Sequence, residues 1–312
     1  MIKSFTIPSK YDKLPLSVLL IMPDEKKPCG ILQISHGMCD HKERYINFME
    51  YMADKGYICL INDHRGHGES ILQKSDLGYF YKNGGSALVD DLHQLTNWIT
   101  EQYPDLPVFL LGHSMGSLAV RSYLKRYPSA LDGLIVCGSP SEPLAIEKLQ
   151  KVLKRLIERK GENYHSKFIE KIIYKAFQFP FKNDKERNTW ICSDSSIVKA
   201  YNNDPLCQFN FSLNGYEALL FLIKTTYDKN DWNVTNPNMP IRFLSGADDP
   251  CRTNDHKFNQ AVSLMQSVGY KNVTSYLFPD MRHEILNESK KELVYNDIFK
   301  TLSIWQLQNN LI

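Results

Sequence analysis

No apolar run in this chain is long enough to cross a bilayer. The longest, Val18 to Met22 and Ala218 to Ile223, stop far short of the roughly 20 residues a spanning helix needs. The opening stretch, Met1-Ile2-Lys3-Ser4-Phe5-Thr6-Ile7-Pro8, has no apolar signal-peptide core. No Cys-x-x-Cys pair occurs. The seven cysteines (Cys29, Cys39, Cys59, Cys137, Cys192, Cys207 and Cys251) are odd in number and scattered. That argues against a disulfide framework, so a reduced, cytoplasmic protein is expected. A strong excess of one charge is also missing: the net charge is +2, which speaks against nucleic acid as a partner. Internal repeats and low-complexity segments are absent. What is present, 43% hydrophobic and 23% charged residues over 312 positions, fits a soluble globular chain able to bury a large core.

Strand and helix patterns alternate along most of the sequence. Residues 3–8 and 16–21 read as an antiparallel pair, followed by strands at Gly30 to Ser35 and Tyr57 to Ile61. Helices are expected over Arg44 to Lys55 and over 85–103, where Val89, Leu92, Leu95, Trp98 and Ile99 form one stripe. Further strands fall at Val108 to Leu111, Leu134 to Cys137, Ile241 to Ser245 and Val273 to Phe278, with helices at 255–268 and 290–307. This is an α/β pattern with a mainly parallel sheet. From 141 to 235 the alternation stops. Leu149, Val152, Leu153, Leu156 and Ile157 have helical spacing, as do Ile169, Ile172, Ile173, Ala176 and Phe177, and Ser212 to Thr226 reads as another helix. The expected division is therefore a core of 1–140 and 236–312, with a helical insertion at 141–235.

Chemistry concentrates at Val108-Phe109-Leu110-Leu111-Gly112-His113-Ser114-Met115-Gly116-Ser117. Gly-x-Ser-x-Gly alone is a common accident. Between a strand and a helix it describes a nucleophile elbow, whose tight turn lifts the serine hydroxyl above the sheet edge. Gly112 and Gly116 keep side chains out of the neighbouring strand and helix. A serine hydroxyl needs a base to take its proton and a third group to orient that base. Both partners should come later, in the order acid, then histidine. After the strand at 241–245 come Asp248 and Asp249, and Gly-x-x-Asp spacing from Gly246 favours Asp249. After the last strand comes His283, taken as the base. Glu284 and Glu288 are placed to hold its loop. Two backbone N–H groups should receive the oxyanion: that of Met115, and that of Met38 in His36-Gly37-Met38.

Other motifs are weighed beside these. His36, Cys39 and His41 have metal-ligand chemistry, but nothing elsewhere completes a tetrahedral set. Asp63-His64-Arg65-Gly66-His67-Gly68 looks like a phosphate or metal loop and is read as a structural turn bracing the site. Residues 143–187 carry twelve Lys/Arg against six Asp/Glu, a basic amphipathic segment of the kind that makes transient contact with membrane surfaces.

On these residues, together with His41, Arg44-Tyr45, Glu69-Ser70 and Arg282-His283-Glu284-Ile285-Leu286-Asn287-Glu288, the chain resembles an α/β-hydrolase of the monoacylglycerol lipase, lysophospholipase and serine aminopeptidase-like group. The resemblance implies an eight-stranded sheet, a helical cap over the nucleophile, and hydrolysis without a cofactor or metal. It also implies a Ser114–Asp249–His283 triad with Met38 and Met115 as oxyanion donors. Asn203-Asp204-Pro205-Leu206-Cys207 resembles a cap segment of lysophospholipase-like members, with no specificity attached. The expected activity is cleavage of a carboxylic ester or monoacyl lipid. The alternatives are an aminopeptidase or amidase, and a ligand receptor on the same scaffold.

Overall fold

The computed structural model describes residues 1–24, 27–143 and 145–309, without the side chains of Lys175, Ala176 and Asn309. Ala176, read above as part of an apolar stripe, thus lies outside the described side chains. Eight strands form one sheet: β1 (Ile2–Pro8), β2 (Pro15–Ile21), β3 (Gly30–Ser35), β4 (Tyr57–Asn62), β5 (Val108–His113), β6 (Gly133–Cys137), β7 (Ile241–Gly246) and β8 (Val273–Phe278). Their spatial order is β1-β2-β4-β3-β5-β6-β7-β8. β2 runs antiparallel to β1 and β4, and the other pairings are parallel. The chain has the expected α/β-hydrolase fold.

Period-two alternation explains how the central strands are covered. Ile31, Ile58, Leu60, Val108 and Leu110 face one core. Leu32, Ile34, Cys59, Ile61, Phe109 and Leu111 face the other. Both faces are apolar because helices cover both. α2 (Gly84–Gln102), α3 (Met115–Arg126) and α8 (Asp255–Ser267) pack on the first face; α1 (Ile46–Asp54) and α9 (Lys291–Asn309) pack on the second. Each fully buried aliphatic side chain contributes about 1.5–3 kcal/mol. A 3-10 turn at Lys42–Tyr45 precedes α1, so the first turn of the helix expected from Arg44 is tighter than α-helical.

Between β6 and β7 come α4 (Ile146–Lys160), α5 (Lys167–Gln178), α6 (Ser195–Asn203) and α7 (Leu213–Tyr227). α6 is not anticipated above. Its start is marked by Asp194, whose side chain accepts from Ser196 N at 2.8 Å. The insertion is not one separate layer. α7 packs Leu213, Ala218, Leu220 and Leu222 into the same core as α2 and α3, and Thr226 Oγ1 donates to Leu118 O at 2.9 Å. Trp190, Ile191, Val198 and Tyr201 instead gather into a small satellite core.

Successive strands are laid down on opposite sides of β3, with β4 on one flank and β5 on the other. In an open α/β sheet this reversal leaves a crevice beyond the carboxyl ends of the strands. Ser35 lies opposite Gly112 there. The loop after β3 and the turn after β5 therefore meet.

Candidate active site

Ser114 sits in that crevice with φ 54° and ψ −118°, a conformation an L-residue adopts only when its surroundings impose it. Its N–H donates to Cys137 O at 3.0 Å, and its C=O accepts from Ser117 Oγ at 2.6 Å. A Cβ at Gly116 would strike the carbonyls of Ser35 and His36, and one at Gly112 would strike Gly116. The elbow closes because those positions are bare.

Of the two aspartates after β7, Asp248 is exposed and Asp249 is buried. Asp249 receives His283 Nδ1–H at 3.0 Å on each carboxylate oxygen. It also accepts from Ser245 Oγ and Cys251 N, both at 2.8 Å. Burial alone would raise its pKa, but His283 and these donors hold it below the usual carboxylate range. Burial pulls the His283 imidazole down, and Asp249 more than restores it, so it ends above its ordinary value. Nδ1 is thereby fixed as the protonated nitrogen, and Nε2 is left for chemistry. Cys251 Sγ lies 3.9 Å from Nε2.

Ser114 and His283 line one cavity. Among the described residues no hydrogen bond joins the Ser114 hydroxyl to the imidazole. Met38 and Met115 line the same cavity. Met115 opens α3, so its N–H has no partner within the helix.

The loop bearing His283 is secured by the two glutamates singled out in the sequence. Glu288 accepts from Arg282 N at 2.8 Å and Ser193 N at 2.9 Å. Glu284 takes both arms of Arg44, which also reaches Asp40. The ring of Trp190 stands 5.1 Å from that of His283, and His113 stands 4.7 Å away. Burial and the neighbouring His283 push His113 down to about 3, so it is neutral. Arg44, Asp40, Cys251 and Trp190 were given no role from the sequence. Nothing in their spacing announces one, because three-dimensional packing alone brings them to the site.

The other motifs are structurally engaged. His36 Nδ1 pairs with Gly37 O, and His36 Nε2 accepts from His64 N at 2.8 Å. Burial drives the Cys39 thiol up to about 12. Both nitrogens of His41 face carboxylates. The ring of His41 lies with Asp204 and Cys207, ligand atoms within 4.8 Å of one another, and neither His36 nor Cys39 belongs to that group. In the loop after β4, Asp63 accepts from Lys42 N and Nζ, both at 2.8 Å, and from Glu69 N at 2.9 Å. Arg65 pairs with Asp12 and Asp91.

The cavity encloses about 620 Å³. Its walls include Leu118, Leu149, Leu153, Ile169, Ile173, Phe177, Leu219, Leu220 and Ile223, with Tyr174, Tyr201, Tyr216 and Lys257 among them, a mainly apolar lining. Its carboxylates are Asp40 and Glu284, both tied to Arg44, and Glu142, which is exposed.

Comparison with known proteins gives a consistent picture. The family model described as Serine aminopeptidase, S33 (Hydrolase_4) matches residues 26–290. Monoglyceride lipase of Rattus norvegicus is 32% identical over 283 residues, covering 89% of this chain and 82% of its own length. Monoacylglycerol lipase of Mycolicibacterium smegmatis is 25% identical over 275 residues, 87% of each chain. Among solved structures, a thermostable carboxyl esterase from Bacillus coagulans in complex with glycerol superposes with a TM-score of 0.90 at 26% identity, covering 98% of this chain and 99% of that one.

Proposed function

The chain belongs to the serine aminopeptidase, S33 family of α/β-hydrolases, and from that premise we propose that it is a serine carboxylic-ester hydrolase acting on monoacyl lipids, of the monoacylglycerol lipase or lysophospholipase type. Ser114 Oγ attacks the ester carbonyl while His283 Nε2 takes its proton. Asp249 holds the imidazole tautomer and stabilises the imidazolium. The N–H groups of Met38 and Met115 receive the oxyanion. His283 then protonates the departing alcohol, and water releases the acid from the acyl-enzyme by the same cycle. The cycle uses no cofactor.

One observation carries this reading: His283, paired with Asp249 behind it, opens onto the same mainly apolar cavity as a serine in strained elbow geometry. Such a lining suits a single acyl chain. An aminopeptidase would need a carboxylate ready for a free amino terminus. Within the cavity Asp40 and Glu284 are already committed to Arg44, and the remaining carboxylate, Glu142, is exposed, so the buried part of the pocket favours the ester. In this reading 1–140 and 236–312 form the catalytic core and 141–235 the cap. The cytoplasmic setting rests on the scattered cysteines.

The cap also presents a surface that fits an anionic membrane. Phe168, Ile172 and Phe179 are 67%, 53% and 63% exposed, among the exposed Lys167, Lys171 and Lys182. Among the described residues no helix is long and apolar enough to cross a membrane, so this contact is peripheral.

The deciding experiment is a hydrolysis panel over monoacylglycerols, lysophospholipids and aminoacyl anilides, with Ser114→Ala alongside. Ester turnover lost in that variant supports the proposal. Full activity in it, or turnover of anilides alone, rejects it.

A further inference from the structure

The Asn203–Cys207 segment has no part in the reaction cycle above, yet it touches the loop that carries Met38. That loop is gripped from two directions. On the sheet side, Asp40 accepts from Gly37 N at 3.2 Å, His41 N at 2.9 Å and Tyr45 OH at 2.8 Å. On the side of the insertion, Tyr201 OH donates to Cys39 O and Cys39 Sγ to Phe209 O, both at 3.2 Å. Asp204 completes this second grip. Its Oδ1 accepts from Leu206 N at 2.9 Å and shapes its own turn. Its Oδ2 is left for His41 Nε2 at 2.8 Å.

We propose that Asp204, acting through His41, is a positioning residue that holds the Gly37–His41 loop so that the Met38 N–H points at the developing oxyanion. The inference rests on the esterase reading and on Met38 as a donor. Chain connectivity makes the coupling short. His41 is three residues from Met38, and Cys39 between them is held at φ 52°, in the left-handed range that few non-glycine residues adopt. A loop bent this way keeps its shape only while both sides hold it.

The pair also carries a pH signature. His41 Nδ1 meets Glu43 Oε2 at 2.6 Å, so the ring donates from both nitrogens and must be protonated. Burial pulls it down, but Glu43 and Asp204 carry it up to about 9, with Asp40 adding to the pull. Also near it are the thiol of Cys207 and the imidazoles of His36 and His67. Above about pH 9 the ring loses a proton, and one of its two carboxylate bonds goes with it.

The test uses the full chain, a soluble short-chain p-nitrophenyl ester, and the variants Asp204→Ala and Asp204→Asn. Loss of one oxyanion donor costs about 10²–10³ in kcat. A misdirected donor in Asp204→Ala should therefore lower kcat about 10- to 100-fold, with KM within about twofold of wild type. Asp204→Asn keeps an acceptor in place but removes the charge. It should retain most of kcat at pH 7, with the alkaline fall in kcat moved to lower pH. Unchanged kcat in Asp204→Ala, a change confined to KM, or an unmoved alkaline limb in Asp204→Asn overturns the inference while the esterase reading stands. A wild type that hydrolyses no ester overturns both.

Discussion

Arg44 grips Glu284, the neighbour of His283, with both arms of its guanidinium, Nη1 to Oε1 at 2.9 Å and Nη2 to Oε2 at 2.5 Å. The same Nη1 reaches Asp40 Oδ1 at 2.8 Å. One cation thus ties the loop that carries His283 to the loop that carries Met38. Both carboxylates are buried, so Arg44→Met strands two charges. Breaking a buried pair costs about 3–5 kcal/mol. The urea midpoint should fall accordingly at an unchanged m-value, and an unchanged midpoint would remove the network from the account. Arg44→Lys restores the charge without the fork and should recover only part of the loss.

The pH dependence of ester hydrolysis follows from the pair at 3.0 Å. His283 works as a base only when neutral, and Asp249 raises it above its ordinary value against the pull of burial. kcat/KM should therefore rise with pH, with a midpoint above the roughly 6.5 of a free imidazole. The effect on stability has the opposite sense. His283's contribution to stability is fully present below its unfolded-chain value and is lost as pH rises through the folded one, whereas that of Asp249, whose value is lowered, is lost as pH falls. Asp249→Asn should cost about 10⁴ in kcat by misassigning the tautomer. A rate profile flat from pH 6 to 9 would contradict the role of His283.

Vesicle co-sedimentation checks the proposed contact of the Phe168, Ile172 and Phe179 surface with a membrane. The protein should bind vesicles rich in phosphatidylglycerol more tightly than pure phosphatidylcholine, and high salt should weaken the binding. Lys171→Ala should lower partitioning about fivefold, since one surface-facing lysine contributes about 1 kcal/mol. The pair Phe168→Ser and Phe179→Ser should release the protein further while leaving hydrolysis of a soluble ester intact. Equal binding to both vesicle types would sink the idea.

The sheet was legible in the sequence because its signals are local. Val108 to Leu111 alternates between two buried faces, and the glycines beside Ser114 stand where any side chain would collide. Asp249 could be preferred over Asp248 by counting from Gly246, and the two differ in the structure as a buried residue differs from an exposed one. The Arg44–Glu284 fork was not legible. Its partners lie 240 positions apart, and although both sit in stretches that carry the family resemblance, nothing in either points to the other. α7 was recognised as a helix, but nothing in its own residues told whether it would join the insertion or the main core. That is decided by α2 and α3, against which it lies.

Strands β6 and β7 pair residue for residue, Leu134 with Ile241 through Cys137 with Leu244, although four helices are threaded between them. Their register is closed by the ladder itself and owes nothing to the length or content of what intervenes. On the esterase reading, descendants of this sequence can lengthen or rewrite much of the outer helices α4 and α5 and so admit new acyl groups, whereas α7, seated in the main core, is held. The insertion is therefore not of one kind: Asp204 and Trp190 reach the loops of Met38 and His283, and change only at a cost to the site.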